Sequence, residues 1–390
     1  MKLANTKRIK EKIMEIAQTK QALDMINAIA TNEVSNSTID PEMLQVMWKH
    51  SEEYYSKMDD SFREKHTVEQ VMVRLYMESL IESLLPGQSK LISFFGDLLY
   101  PECKIFDIDE FKNNPYIKNI DFHNKKQGNY ELCYQTYQPF EFSIYDIPKH
   151  IDKLHIDIPR MGCFKEEFEY PGIRQIDNER TWMSVTPNEV YTVQPAIDNA
   201  KGKVLTLGCG MGYFAYMASL KDEVESITII ELEQDVIDLF ENSILPQFEN
   251  KDKITVIKAD AIEFMKDIND GDYDYNFADI WIGIDHIEPY FAVKEVCRRF
   301  RKTKIDYWME EAFATLLTYN VWNEIIKSFS KMNNYEVTNP NPDPSEDDLR
   351  KENYIHRLLK NAEINKPEDI DYYLTPKNII KLINKTKLVF

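Results

Sequence analysis

Residues 203–214 constrain the fold more than any other part of the sequence. The run Val204-Leu-Thr-Leu207 is short and apolar, as a buried strand is, and it stops abruptly at a glycine. Glycine then recurs at three alternate positions: Gly208, Gly210 and Gly212. The amphipathic segment 213–220 predicts a helix directly after them. A strand, a glycine turn and a helix in this order are typical of the nucleotide-binding element of a doubly wound α/β fold.

The spacing of the glycines excludes two common phosphate-binding loops. The dinucleotide pattern G-x-G-x-x-G requires glycine at position 213, where the chain has Tyr213. The pattern G-x-x-x-x-G-K-[ST] is absent as well. Because G-x-G-x-G places no demand for a pyrophosphate, it favours a nucleoside that carries no phosphate. A nicotinamide enzyme is therefore a distant alternative.

The next hundred residues continue the alternation of strands and helices. Strands are predicted over 226–231, 254–260, 272–281 and 304–308, and helices over 234–242, 261–266 and 290–300. Three acids stand at the ends of predicted strands: Glu231, Asp260 and Asp279. In sheets of this kind, ligands bind beyond the carboxyl ends of the strands. We therefore expect the glycine turn and these acids to share one pocket, with Glu231, about 20 residues beyond the glycines, positioned for ribose hydroxyls.

Residues 186–311, about a third of the chain, resemble the core of class I S-adenosylmethionine-dependent methyltransferases. The resemblance implies that S-adenosylmethionine is the cofactor. The glycine turn would approach its methionine part, Glu231 its ribose, and Asp260 with Ala261 its adenine, while Asp279 would border both cofactor and substrate. The cofactor-binding residues expected from the resemblance are Gly208, Cys209, Gly210, Gly212, Tyr213, Glu231, Leu232, Asp260, Ala261 and Asp279.

Two features depart from the family pattern. Thr206 stands where the family often has an acid before the glycines. After Trp308 no pair of strands follows to complete the usual seven-stranded sheet, and residues 335–337 form one short strand at most. The predicted fold is a doubly wound, Rossmann-like methyltransferase sheet in which the usual closing strands are missing or replaced.

Candidate proton acceptors follow the fourth and fifth predicted strands. We expect catalytic groups among Asp279, Asp285 and His286, although a lone histidine is more often structural. Glu310 and Glu311 follow the fifth strand and are further candidates for the pocket. The segment before the first strand adds residues that would border the cofactor: Trp182, Ser184, Thr186 and Glu189. Thr186 also predicts an N-cap and Glu189 the closing residue of a capping box.

The 390 residues suggest two or three domains, and we divide the chain into four regions. Residues 1–100 are predicted to be helical, with a capping box at Thr67 and an N-cap at Asp40. Residues 101–185 alternate with period two over 129–137 and 140–145, which predicts a β-rich segment that would cover the pocket. Residues 186–330 form the cofactor-binding domain, and 331–390 a helical extension. The helices of the first region could also form the interface of a homo-oligomer.

The composition of the chain limits which partners and sites are expected. The net charge of −19 disfavours binding to nucleic acid or to an anionic membrane surface. The five cysteines form no C-x-x-C pair, so they suggest neither a metal site nor a disulfide framework. No apolar run approaches the length of a membrane span and no signal peptide is evident, so we expect a cytoplasmic protein.

The leading hypothesis is methyl transfer to a small-molecule or protein acceptor. The first alternative is an aminopropyltransferase that resembles spermidine synthase, because acids after the fourth strand would suit a polyamine cation. The second alternative is a non-catalytic protein that binds the cofactor or serves interactions, which the large helical flanks and the missing strands would explain.

Overall fold

The computed structural model describes residues 1–35, 37–123, 125–284, 286–334 and 346–387. Its central sheet has five strands, numbered in chain order: β1 (Gly202–Leu207), β2 (Val224–Glu231), β3 (Ile254–Lys258), β4 (Tyr275–Ala278) and β5 (Lys304–Tyr307). They lie side by side in the order β3-β2-β1-β4-β5, and every pair is parallel. The order reverses between β1 and β4, which is where such sheets bind ligands. The predicted doubly wound α/β fold is confirmed.

Apolar side chains cover both faces of this sheet. In β1, Val204 packs on one face while Leu205 packs on the other, as the two-residue period of a strand requires. The first face is covered by the helices Pro187–Asn199, Tyr213–Ser219 and Gln234–Leu239. The second face is covered by the helices Ala261–Asp267, Ile287–Cys297 and Glu310–Asn333. Burial on both faces explains why the strands read as continuous apolar runs.

Strand β4 is shorter than the predicted 272–281. It begins only at Tyr275, because the carboxylates of two preceding acids accept backbone N–H groups, one within a local turn and the other from the start of β1. The carboxylate of Asp272 accepts the N–H of Asn269 at 2.7 Å, and that of Asp274 accepts the N–H of Lys203 at 2.8 Å. The shorter strand leaves Asp279 on the loop that follows it. The described residues add no sixth strand to this sheet, and positions 335–337 lie outside them.

The N-terminal region is helical, as predicted. Asp40 caps a helix with Pro41 at its first position, and Thr67 and Gln70 form the predicted capping box. The first helix packs at Ile9 and Ile13 against the second face of the central sheet, and further along joins the other N-terminal helices. The helices are Lys7–Ile29, Pro41–Ser56, Asp60–Arg63, Val68–Leu84 and Ser89–Leu99, with a π-helical turn at Ala30–Val34.

Two small sheets follow. One contains Lys126–Gln127, Tyr130–Tyr137, Phe168–Gln175 and Thr181–Ser184, and the other Lys104–Phe106, Ser143–Ile151 and Ile156–Phe164. The short helices Ile108–Lys112 and Pro115–Asn119 lie between their strands. Tyr137 and Tyr145 are buried in an aromatic cluster and serve packing. The strand Thr181–Ser184 was not predicted, and it leads the chain to the candidate site.

The C-terminal region returns to the central domain. It contains the helices Glu346–Leu358, Pro367–Tyr373 and Pro376–Lys385, and the strand Glu363–Ile364, which pairs in parallel with Lys2–Leu3. Ile355, Ile370 and Ile379 are buried in the cluster on the second face of the central sheet. None of the helices in the described ranges has the length and apolar character needed to cross a membrane.

Candidate active site

A cavity of about 670 Å³ opens where the central strands end. This volume lies in the range of about 300–1,000 Å³ that small-molecule sites occupy. The glycine turn and the ends of β2, β3 and β4 form one side, and the strand Thr181–Ser184 with the start of the next helix forms the other. The lining residues are Trp182, Met183, Ser184, Val185, Thr186, Asn188, Glu189, Gly208, Gly210, Met211, Ile230, Glu231, Leu232, Glu233, Ala259, Asp260, Ala261, Asp279, Ile280, Trp281, Ile282 and Trp308.

Backbone geometry explains two of the three glycines. Gly208 has a φ of +98°, and a Cβ there would collide with the carbonyl oxygen of Asp279. Gly212 has a φ of +75°, and a Cβ there would collide with the ring of Phe240. At Gly210 a Cβ would meet only the Met183 sulfur at 3.7 Å. The turn is therefore held against β4 and the neighbouring helix by its outer glycines, and Gly210 presents its backbone to the cavity.

Not every predicted cofactor residue lines the cavity. Gly208, Gly210, Leu232 and Asp279 do, whereas Gly212 does not. The ring of Tyr213 points into the core, where its hydroxyl accepts a hydrogen bond from Asn114 Nδ2 at 3.0 Å. Cys209 is buried and contributes through its backbone N–H. The side chains of Tyr213 and Cys209 are therefore not positioned to contact a cofactor in the cavity.

Glu231 is anchored at the end of β2 by three backbone amides. Its Oε1 accepts the N–H groups of Leu232 at 2.7 Å and Glu233 at 2.9 Å, and its Oε2 accepts that of Cys209 at 3.0 Å. A carboxylate has about four lone-pair sites, so acceptor capacity remains for a ligand hydroxyl. The adjacent Leu232 is 56% exposed and supplies an apolar wall.

Asp260 has a structural role besides its place in the cavity. Its Oδ1 accepts the N–H groups of Ile262 and Glu263, both at 2.9 Å, and so caps the helix Ala261–Asp267. Asp260 and Ala261 both line the cavity. The cap fixes the position of the Asp260 carboxylate at the carboxyl end of β3.

Two carboxyl groups of the cavity, those of Glu189 and Asp279, interact electrostatically. Thr186 accepts the Glu189 N–H at 3.5 Å, but the predicted capping box is not formed, because the Glu189 side chain lines the cavity instead. Burial raises the pKa of Glu189 to about 7. Burial, and then the charge of Glu189, raise the pKa of Asp279 well above its ordinary range. Such a pair can hold or accept a proton near neutral pH.

The described ionisable side chains that line the cavity are all acidic. Five carboxylic side chains line it: Glu189, Glu231, Glu233, Asp260 and Asp279. The described lining residues include no lysine, arginine or histidine, and they include three tryptophans: Trp182, Trp281 and Trp308. Aromatic faces and carboxylates both favour cations. The arrangement therefore suits a positively charged ligand.

The outcome differs for the two other predicted catalytic residues. His286 is exposed, stands at the N-terminus of the helix Ile287–Cys297, and is not among the cavity-lining residues. Asp285 lies outside the described residues. Of the three predicted proton acceptors, the structure places Asp279 in the cavity.

Glu310 also lies away from the cavity. It accepts hydrogen bonds from Tyr290 Oη at 2.8 Å and from the buried ammonium of Lys294 at 2.6 Å. Neither Glu310 nor Glu311 is among the described residues that line the cavity. Glu310 instead balances a buried charge between two helices.

Replacing Glu310 with alanine is expected to destabilise the protein by about 3 kcal/mol, because it leaves the Lys294 ammonium buried without its carboxylate. Urea unfolding measures the loss. Glu311→Ala, at the adjacent position, is the matched control and should change stability by less than about 0.5 kcal/mol. Equal losses in the two variants would contradict the assigned role of Glu310.

Sequence reasoning missed several cavity residues or contacts. Glu189 was expected to border the cofactor, but its pairing with Asp279 was not predicted. Trp308 lines the cavity just beyond β5, and its Nε1–H donates to Thr192 Oγ1 at 2.9 Å. Its place at the end of a parallel strand was the available signal. Asn188 and Glu233 gave no signal of their own.

One further group of described residues, none of which lines this cavity, has the residue types of a metal site. Glu324, Glu352 and His356 have ligand atoms within 4.8 Å of one another. Lys327 already pairs with Glu352 at 2.7 Å, so we assign the group no metal role.

Comparison with known proteins finds a family match over the region that contains the central sheet. The family model of the spermine/spermidine synthase domain matches residues 191–320. No curated protein matches the chain. The five-stranded order and this match give the core a class I, Rossmann-like methyltransferase fold.

Solved structures with similar folds include both reaction types. A spermidine synthase from Thermotoga maritima is 13% identical, with a TM-score of 0.27, and the match covers 38% of this chain and 57% of that one. A spermidine synthase in complex with the transition-state analogue AdoDATO is 15% identical, with a TM-score of 0.26 and coverage of 36% and 54%. A precorrin-6y C5,15-methyltransferase from Geobacter metallireducens GS-15 is 21% identical, with a TM-score of 0.26 and coverage of 37% and 72%. At these values the similarities do not decide the reaction.

Proposed function

We propose that the protein transfers an alkyl group from an adenosyl sulfonium to an amine. The observation behind this proposal is the cavity itself, which combines five carboxylic side chains with no basic residue among its described lining. An adenosyl sulfonium and an amine are both cationic. The glycine turn, Glu231 and Leu232 fit the nucleoside: the turn offers a backbone without side chains, Glu231 has a free acceptor site, and Leu232 offers an apolar wall.

The chemistry requires one proton acceptor. The amine nitrogen forms a bond to the alkyl carbon while the carbon–sulfur bond breaks, and its electron pair remains on sulfur as a thioether. A protonated amine must lose a proton before its nitrogen can attack, and Asp279 or Glu189 can take it because their raised pKa values make both carboxylates stronger bases than exposed ones. Alignment of the two reactants in a pocket of this size supplies much of the remaining acceleration.

Of the two donors, decarboxylated S-adenosylmethionine is favoured. S-adenosylmethionine carries a carboxylate, which the described lining would meet with five acids and no cation. The decarboxylated form lacks this group, so its sulfonium and ammonium charges are left without a compensating negative charge. The match to the spermine/spermidine synthase domain model supports the same choice.

Methyl transfer from S-adenosylmethionine is the second candidate. It is favoured by the glycine turn and the acids that end β2 and β3, which methyltransferases share. In that reaction the backbone amides of the turn would have to meet the donor's carboxylate. The acceptor in either reaction is proposed to be an amine for the same electrostatic reason.

A two-donor assay tests the proposal. The protein is incubated with a pool of diamines and each donor in turn, and products are identified by mass spectrometry. An amine that gains an aminopropyl group would support the first candidate, and one that gains a methyl group the second. A folded protein that binds a donor but alkylates no amine would contradict the proposed reaction and favour a non-catalytic role.

The dependence of kcat/KM on pH should report the carboxyl pair. We expect kcat/KM to rise with pH through a pKa well above that of an exposed carboxyl, because the proton acceptor works only when deprotonated. Glu189→Gln removes the neighbouring charge that raises the pKa of Asp279, and so should shift the rise to lower pH. Steady-state kinetics between pH 5.5 and 9 provide the measurement. An unchanged profile in Glu189→Gln would show that the pair is not the titrating group.

A further inference from the structure

A second cavity lies among the C-terminal helices. It has a volume of about 580 Å³ and shares no lining residue with the candidate active site. Its walls come from the end of the helix Glu346–Leu358, the turn that follows it, and the end of the helix Pro376–Lys385. Four cationic side chains line it: Arg357, Lys360, Lys385 and Lys387.

The charge of this cavity is opposite to that of the whole chain. The chain carries a net charge of −19, yet the described residues that line this cavity include no aspartate or glutamate. A cleft lined by one sign of charge focuses the field and raises the local concentration of ligands of the opposite sign. The ligand that fits here is therefore an anion.

Backbone contacts hold both walls in place. On one wall the guanidinium of Arg298 donates to the carbonyl oxygens of Ile383, at 2.8 Å, and Thr386. On the other wall the carbonyl of Ala362 accepts the N–H of Lys2 at 2.9 Å. The cationic side chains thus extend from fixed backbone, which lowers the conformational cost of binding a ligand.

The lining also indicates the size and character of the ligand. The cavity is larger than a phosphate ion requires, and its lining also includes Leu358, Ala362, Leu382 and Tyr373. Arginine and lysine are the usual partners of phosphate groups. We propose that this cavity binds a phosphorylated small molecule of nucleotide size, with its phosphates at the cationic rim and its organic part against the apolar surface.

Titration calorimetry with uridine diphosphate tests the proposal on the full chain at low salt. This probe lacks adenine, for which the first cavity is the expected site. We expect saturable binding that weakens with added salt and falls at least about 10-fold when Lys360→Glu and Lys385→Glu are combined. Uridine alone should not bind, and pyrophosphate should bind more weakly than uridine diphosphate.

Lys377→Glu is the matched control, since this exposed lysine lies on the same helix but does not line the cavity. It should leave binding unchanged, and thermal unfolding should show that all variants are folded. The proposal is overturned if uridine diphosphate does not bind, if Lys377→Glu weakens binding as much as the double variant, or if pyrophosphate binds equally well. The result is independent of the reaction in the first cavity.

Discussion

Replacing Asp279 with asparagine is expected to lower kcat by about 10²–10⁴-fold, the usual contribution of a positioned general base. The side chain lies at the carboxyl end of β4, where the Asp279 N–H donates to the carbonyl of Leu207 at 2.9 Å. Asparagine preserves the size of the side chain and this backbone contact, but it cannot accept the proton. Donor affinity should change less than turnover, because Glu231 and the glycine turn remain.

Steady-state kinetics with the donor that supports turnover measure this effect. Glu263→Gln is the control, because Glu263 is an exposed acid that pairs with Lys266 at the surface. Thermal unfolding should show that both variants are folded. Activity of Asp279→Asn within about 10-fold of the unchanged protein would rule out Asp279 as the principal proton acceptor.

Replacing Gly208 with alanine is expected to destabilise the protein by about 3 kcal/mol or more. Its φ of +98° is strained for any residue with a Cβ, and that Cβ would collide with the carbonyl oxygen of Asp279. Either β1 or the end of β4 must then move. Because both border the cavity, donor binding should be lost together with stability.

Gly210→Ala is the control that distinguishes the collision at Gly208 from the general cost of a positive φ. Gly210 has a φ of +54°, which an alanine adopts at a cost of about 1–2 kcal/mol, and its Cβ would meet only the Met183 sulfur at 3.7 Å. Urea unfolding of the two variants provides the comparison. Equal losses of stability would mean that the contact between Gly208 and Asp279 does not hold the turn.

The central sheet could be predicted because its signals are local. The apolar run before Gly208 and the acid Glu231 predicted the ends of two neighbouring strands. The structure has these strands at Gly202–Leu207 and Val224–Glu231. In a parallel sheet, strand ends meet at one edge, so the shared position of Glu231 and Asp260 followed from strand boundaries alone, whereas the predicted fourth strand ran past Asp279.

The details that failed depend on contacts between distant parts of the chain. Tyr213 follows the glycine turn directly, but its partner Asn114 lies about 100 residues away, and this contact turns the ring into the core. Glu189 was predicted both as a capping residue and beside the cofactor, but its pairing with Asp279 arises only when the sheet forms. The strand Thr181–Ser184 depends on pairing with Phe168–Gln175. The sequence of these four residues alone does not predict this pairing.

Isothermal titration with decarboxylated S-adenosylmethionine and S-adenosylmethionine tests the central claim most directly. We expect micromolar binding of the decarboxylated nucleoside, at least about 10-fold tighter than that of S-adenosylmethionine, and a marked loss in Glu231→Ala. Binding of neither nucleoside by a folded sample would contradict the claim that this cavity is built for an adenosyl sulfonium.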